Sequence, residues 1–294
     1  MNHTAQALAD LIVHCHADKG AGPALAAQAH IDRSSVAVSA ALDLALPALG
    51  FEPHDAAILK SAWLRQSQRL GGFEANRWPS NALDFGLHAH PLPFPPCPKN
   101  LGLYAVLPSA DWVARMAAVG VPTLQLRFKS DDRRAIEREV IAAVRAVQGS
   151  TSLLFINDHW ASAIEHGAYG VHLGQEDLRI APIERLRMSG VRLGLSTHGY
   201  AEMLRADAIG PSYLALGAVF PTTLKRMATP PQGLGRLQAY AQLMAHRPLV
   251  GIGGIDASRF ADVRACGVGS VAVVRAIVGD AQAEQAALKL MAAW

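Results

Sequence analysis

The sequence is short of several things, and each shortage excludes something. Cysteine occurs three times in 294 residues, at Cys15, Cys97 and Cys266. Odd in number and far apart, these residues make neither a disulfide framework nor a CxxC zinc site. Charged residues are only 17% of the chain, and the net charge is +3. That balance is too mild for a protein that coats nucleic acid, so no nucleic-acid partner is expected. Apolar runs of the ~20 residues that span a bilayer are missing, so no membrane partner is expected either. The first 20 residues carry Asp10, Asp18 and three histidines and do not read as a signal peptide. Hydrophobic residues, by contrast, reach 51%, enough for a sizeable core. The length suits one large domain or two ordinary ones. Together these bounds point to a cytoplasmic enzyme, and a homo-oligomer is compatible with them.

The chain falls into two parts. Residues 1–98 hold six basic and eight acidic residues, a net of −2, which leaves +5 for the remainder. Seven of the twelve histidines lie in this first part. His14 and His16 do not read as a ligand pair, because residues two apart on a helix face different ways. Between Pro91 and Pro98, five of eight residues are proline. Such a stretch cannot continue a helix or a central strand and reads as a stiff, extended connector. The expected division is a helical extension over 1–90, a linker over 91–98 and a second domain over 99–294. Helical patterns in the extension run from Thr4 to His16, from Ser34 or Ser35 to Leu49, and from Asp55 to Arg69 before Gly71-Gly72.

After the linker, short apolar runs alternate with helix-length segments. The runs are Leu103–Leu107, Thr123–Phe128, Ser152–Ile156, Tyr169–Leu173, Val191–Leu195, Tyr213–Leu216, Leu249–Ile252 and Ser270–Val274. Eight buried strands alternating with helices predict an α/β fold, a small (β/α)₈ TIM barrel behind an all-helical N-terminal extension. An open, doubly wound sheet is the alternative. It is disfavoured because no GxGxxG follows the first strand.

In a barrel, chemistry sits where the strands end. Here the ends are polar: Gln125, Arg127 and Lys129; Asn157 and Asp158; His172 through Asp177; Ser196, Thr197 and His198; Thr222, Thr223 and Lys225; Gly253-Gly254; Val274-Arg275. Arg127, Lys129 and Lys225 can neutralise several phosphate charges. Asp158 and Asp177 are hard oxygen ligands of the kind Mg²⁺ takes alongside substrate phosphates. Gly253-Gly254 is expected to open a helix whose amides bind a second phosphate. The set therefore predicts a pyrophosphate held with Mg²⁺ and a separate phosphate monoester.

Ordered along the chain, these motifs resemble the thiamine phosphate synthase family over about 102–294. They are Gln125-Leu126-Arg127-Phe128-Lys129, Asn157-Asp158, His172-Leu173-Gly174-Gln175-Glu176-Asp177, Gly194-Leu195-Ser196-Thr197-His198 and Phe220-Pro221-Thr222-Thr223-Leu224-Lys225. Pro231-Gln232-Gly233-Leu234, Gly251-Ile252-Gly253-Gly254-Ile255 and Val271-Ala272-Val273-Val274 complete the set. The resemblance implies a Mg²⁺-dependent transferase that joins a hydroxymethylpyrimidine diphosphate to a thiazole phosphate and releases pyrophosphate. By the same resemblance, Gln125, Arg127, Lys129, Asn157, Ser196 and Lys225 would hold the pyrimidine diphosphate. Arg127, Lys129, Ser196 and Lys225 would carry the chemistry, and Asp158 and Asp177 would ligate Mg²⁺. Thr222, Thr223, Leu224, Gly254, Val274 and Arg275 would hold the thiazole phosphate.

Three positions depart from the family's usual residues: Phe128 stands for Glu, Leu224 for Thr and Arg275 for Ser. Two alternatives therefore stand beside the synthase, a thiazole tautomerase paralogue and a non-catalytic regulator that binds thiazole phosphate. The segment from Ser34 to Pro79 also resembles the C-terminal end of a hydroxymethylpyrimidine phosphate kinase. It does so through Ala48-Leu49-Gly50-Phe51-Glu52-Pro53, Gln68-Arg69-Leu70-Gly71 and Asn76-Arg77-Trp78-Pro79. The kinase's Gly-rich anion loop should fall near Asp32-Arg33-Ser34-Ser35, where there is neither Gly nor Cys. The extension is then a remnant without kinase activity, or a plain helical addition used for packing.

Overall fold

The computed structural model describes residues 3–20, 35–223 and 229–294. Three helices come first: α1 (His3–Cys15), α2 (Ser35–Ala48) and α3 (Pro53–Leu70). The next elements are β1 (Gly102–Leu107), α4 (Ala110–Ala118), β2 (Thr123–Leu126), α5 (Arg133–Ala146), β3 (Leu153–Asn157), α6 (Trp160–Glu165) and β4 (Gly170–Leu173). Then follow α7 (Gln175–Leu178), α8 (Ile183–Met188), β5 (Arg192–Thr197), α9 (Tyr200–Asp207) and β6 (Tyr213–Leu216). The chain finishes with α10 (Gly233–Leu243), β7 (Leu249–Ile252), α11 (Phe260–Ala265), β8 (Ser270–Val273), α12 (Arg275–Val278) and α13 (Ala283–Ala292).

All eight strands pair in parallel and in sequence order, and β1 closes on β8. This is the (β/α)₈ barrel that the run spacing predicts, and closure rules out the open sheet. The strands read as continuous apolar runs because both their faces are covered. Tyr104, Phe155 and Tyr213 fill the barrel interior with Val106, Ala215, Val250 and Ala272. The outward residues pack under the helical shell.

Local chemistry sets the helix ends. Ser109 caps α4 by accepting from Trp112 N–H, and Asp132 caps α5 by accepting from Arg134 N–H. Two expectations fail at element ends. The second strand stops at Leu126, so Arg127 and Lys129 stand on the loop beyond it. The pair Gly253-Gly254 does not open a helix, because α11 begins only at Phe260. Their φ angles of 104° and 65° are left-handed, which turns the chain back before a right-handed helix can start.

The extension shares an apolar core with the barrel's shell. Leu8, Ile12, Leu42, Leu46, Leu59 and Trp63 are buried in one cluster with Tyr200, Leu237 and Tyr240 of α9 and α10. The proline-rich segment lies along the entry side of β5 and β6. Phe94 N–H donates to Gly210 O at 2.8 Å, and Ser212 Oγ donates to Pro95 O at 2.6 Å. Arg192 Nε donates to Pro96 O at 3.1 Å, and the Phe94 ring is buried under the Arg187 guanidinium. Among the described residues, no helix is long and apolar enough to cross a membrane.

Candidate active site

The carboxyl ends of the strands surround a cavity of about 660 Å³. Gln125, Arg127, Lys129, Asn157, Asp158, Asp177, Ser196, Thr222, Gly254, Val274 and Arg275 line it. Eleven site residues drawn from seven strand ends are thus brought to one place. Thr223 is exposed beside it and accepts a hydrogen bond from Arg275 at 3.2 Å. Leu224 and Lys225 lie outside the described residues.

The wall built from β2, β3 and β4 is charged. Arg127 N–H donates to Leu107 O at 2.7 Å, which carries the ladder one residue past β2 and aims the next side chains at the mouth. Lys129 Nζ forms an ion pair with Asp158. Asp158 has φ 64°, a left-handed conformation that costs an ordinary residue about 1–3 kcal/mol. Asp tolerates it better than most. Its N–H donates to His172 O at 3.0 Å, so the turn is tied to the neighbouring strand. Asp177 accepts from Gly174 N–H at 3.3 Å and lies within reach of Asp158.

The two carboxylates titrate apart. Burial pushes the Asp158 carboxyl up, but the Lys129 hydrogen bond and charge outweigh it and hold the pKa below the usual value. Burial and the adjacent Asp158 charge raise that of Asp177. Two close carboxylates with one ammonium paired to Asp158 form a hard oxygen donor set with charge to spare, and this fits a divalent cation.

Beneath the cavity a chain of buried hydrogen bonds crosses the barrel. Gln125 Nε2 donates to the Tyr104 hydroxyl at 2.9 Å, and the Tyr104 and Tyr213 hydroxyls lie 2.7 Å apart. Tyr213 meets His172 Nδ1 at 2.7 Å, and His172 Nε2 meets Ser196 Oγ at 2.8 Å. The chain is satisfied throughout when each group passes its proton on from Gln125 towards Ser196. His172 is then neutral with its proton on Nε2, and the Ser196 hydroxyl proton is free for a ligand. Burial raises the pKa of both tyrosines, so they stay protonated.

The opposite wall, from β6, β7 and β8, carries small residues at Gly217, Ala218, Gly253, Gly254 and Ala272, together with Thr222, Asp256, Arg259 and Arg275. A Cβ on Gly254 would overlap Pro221 O, so only glycine leaves the turn its place. Arg275 turns into the cavity mouth. Phe128 instead packs on the apolar shell, and only its carbonyl, 3.0 Å from His159 Nε2, meets a polar group.

Cavity residues beyond the substrate and metal sets that the resemblance implies include His172, Arg259 and His198. His172, one of the polar strand-end residues, lines the cavity as well as anchoring the buried chain. Arg259 lines it too, donating to Gly254 O at 2.8 Å over the Phe220 ring. Its position on the loop after Gly253-Gly254 was the available signal. His198 reaches the cavity with Nδ1 held by Glu202 at 2.6 Å. That spacing, i to i+4 at a helix start, was also readable.

A family profile described as thiamine monophosphate synthase matches residues 103–277. The chain belongs to that family. It is similar to thiamine-phosphate synthase of Neisseria meningitidis serogroup B (strain MC58), 49% identical over 201 residues, with 68% of this chain and 98% of the relative covered. It is 46% identical over 198 residues to thiamine-phosphate synthase of Proteus mirabilis, covering 67% of this chain and 92% of that one. Among solved structures, thiamine phosphate pyrophosphorylase from Pyrococcus furiosus superposes with a TM-score of 0.58 at 28% identity. That superposition covers 66% of this chain and 96% of the other. The family match begins only at residue 103, so the extension lies outside it.

Proposed function

We propose that this chain is a Mg²⁺-dependent thiamine phosphate synthase. It condenses 4-amino-2-methyl-5-hydroxymethylpyrimidine diphosphate with 4-methyl-5-(2-phosphoethyl)thiazole and releases pyrophosphate. The observation that carries this reading is one cavity with two different anion-binding walls, the close Lys129, Asp158 and Asp177 group on one and the Gly253-Gly254 turn with Arg259 and Arg275 on the other. Two phosphorylated substrates need two different anion sites facing each other. A tautomerase working on one monophosphate would leave the Lys129, Asp158 and Asp177 group without a task.

Arg127, Lys129, Asn157 and Lys225 hold the diphosphate, with Arg127 offering a bidentate fork. Gln125 and Ser196, fixed from below by the buried hydrogen-bond chain, orient the pyrimidine. The bond between the pyrimidine methylene carbon and the diphosphate oxygen breaks, and both electrons leave with pyrophosphate. The pyrimidine's own amino group stabilises the cation that remains. Asp158 and Asp177 would hold Mg²⁺, which would supply charge compensation for the pyrophosphate. The thiazole phosphate sits against Thr222, Thr223, Leu224, Gly254, Val274 and Arg275, which points its ring nitrogen at the methylene carbon. The new C–N bond completes the reaction with no covalent enzyme intermediate. The protein's contribution is positioning and charge stabilisation.

The test is incubation of purified protein with both substrates and Mg²⁺. Thiamine phosphate and pyrophosphate should appear in equal amounts, and omission of either substrate should abolish both. Thiazole phosphate that binds without any product would favour the regulator instead. We place the reaction in the cytoplasm, a location supported by the three unpaired cysteines.

A further inference from the structure

The extension meets the barrel at the start of α9, directly after the strand that supplies Ser196. The residue before α9, Gly199, has no side chain to cap the helix. The cap comes instead from 145 residues away. The Asp55 carboxylate, on α3, accepts from Tyr200 N–H at 3.0 Å and from Ala201 N–H at 2.9 Å. These are amides at the head of a helix, where a negative charge is favoured. The fit is close: a Cβ added to Gly199 would overlap the Asp55 carboxylate.

Asp55 does not act alone. Trp78 Nε1 donates to the Tyr200 hydroxyl at 3.0 Å, and the Phe85 ring stacks on Tyr200 at 5.4 Å. Arg236, on α10, donates to Lys19 O at 2.7 Å, Leu49 O at 2.8 Å and Gly50 O at 2.9 Å. The junction is thus anchored on both helices that follow β5 and β6. From the capped amides, the chain runs back through Gly199 to His198, Thr197 and Ser196, all three on the cavity. His198 is tied in addition to Glu202 in the first turn of α9 by two hydrogen bonds, from its N–H and from Nδ1. Movement of the α9 start therefore moves the wall that carries Ser196.

We propose that Asp55 is a positioning residue of the active site, and that the extension serves the synthase by capping α9 and holding the Ser196–His198 wall. The assignment rests on the reading above, in which Ser196 faces the pyrimidine. It gives the extension a task that needs no kinase chemistry.

Gly199 supplies a clean test, because its φ of 178° and ψ of −176° are extended angles that any residue adopts. Asp55→Ala should raise KM for the pyrimidine diphosphate about fivefold, with KM for the thiazole phosphate unchanged within about twofold. Gly199→Ser alone should also impair the enzyme, because its side chain meets Asp55. The double variant Asp55→Ala/Gly199→Ser restores a cap within α9 itself, and should return KM to within about twofold of the parent. Val38→Ala, which thins the buried core of α2 elsewhere in the extension, should lower stability and leave both KM values alone. Amide exchange at Tyr200 and Ala201 should quicken in Asp55→Ala and slow again in the double variant. That readout needs no turnover, so it stands apart from the synthase assignment, which fails if the parent protein makes no thiamine phosphate. The proposal is overturned by an unchanged KM in Asp55→Ala, by a double variant no better than Asp55→Ala, or by Val38→Ala shifting KM as much as Asp55→Ala does.

Discussion

In the proposed function, the two walls of the cavity solve the same problem, holding phosphate, by different means. On the β2–β4 wall, charged side chains stand close together: Arg127, Lys129, Asp158 and Asp177. On the β6–β8 wall a glycine- and alanine-rich turn is joined by Thr222, Asp256, Arg259 and Arg275. A diphosphate that must leave as an anion needs charge that responds as the bond breaks. A monoester that only has to stay in place needs a shaped main-chain cradle, which is indifferent to most side chains. Of the departures from the family's usual residues, Arg275 stands on the second wall, and Phe128 replaces a carboxylate between Arg127 and Lys129 on the first. Phe128 points into the apolar shell rather than the cavity.

The comparison predicts where substitutions will hurt. The largest effects belong to the residues proposed to hold the diphosphate and its metal: Asp158→Ala or Lys225→Ala should lower turnover at least ~100-fold, about 2.7 kcal/mol of transition-state stabilisation. Steady-state kinetics with both substrates will show it, and a near-normal rate would contradict the role. Next comes Gly254→Ala on the other wall. Its left-handed φ of 65° and the nearby Pro221 carbonyl leave no room for a methyl group. KM for the thiazole phosphate should rise about tenfold while KM for the pyrimidine diphosphate holds.

A pH series sharpens the contrast further. The Asp177 carboxyl titrates above its usual 3.8, and a ligating carboxylate must be deprotonated. Apparent Mg²⁺ affinity should therefore be flat well above that raised value. Below it, affinity should fall by up to about tenfold per pH unit as the proton competes. Thiazole phosphate binding should not follow this titration, which calorimetry at several pH values will check. The smallest effect is expected for Arg275→Ser, which removes one exposed cation beside the cradle. A rise of about threefold in the thiazole phosphate KM is expected, diminishing as salt is added.

The barrel was legible because its strands are buried on both faces. Tyr213–Leu216 and Leu249–Ile252 stand where their apolar runs place them, to the residue. Runs were less informative where polar residues continue the strand, as at Ser196-Thr197 in β5. The reverse error occurred at Phe128, where an apolar residue lies beyond the end of β2. The cavity lining followed from the barrel rule and the motifs together. The buried chain from Gln125 to Ser196 did not, because Tyr104 and Tyr213 meet across the barrel, 109 residues apart. The Asp55 cap was hidden for the same reason. An acidic residue early in a helix looks like an ordinary dipole partner of its own helix, and nothing local says that it serves another.

The central claim is that two independent anion sites share one cavity, and binding to Asp158→Ala tests it most directly. Calorimetry should show thiazole phosphate bound with a Kd within about twofold of the parent, while pyrophosphate with Mg²⁺ loses at least about tenfold in affinity. If the two ligands weaken together, or if pyrophosphate binding survives intact, the walls do not divide the work.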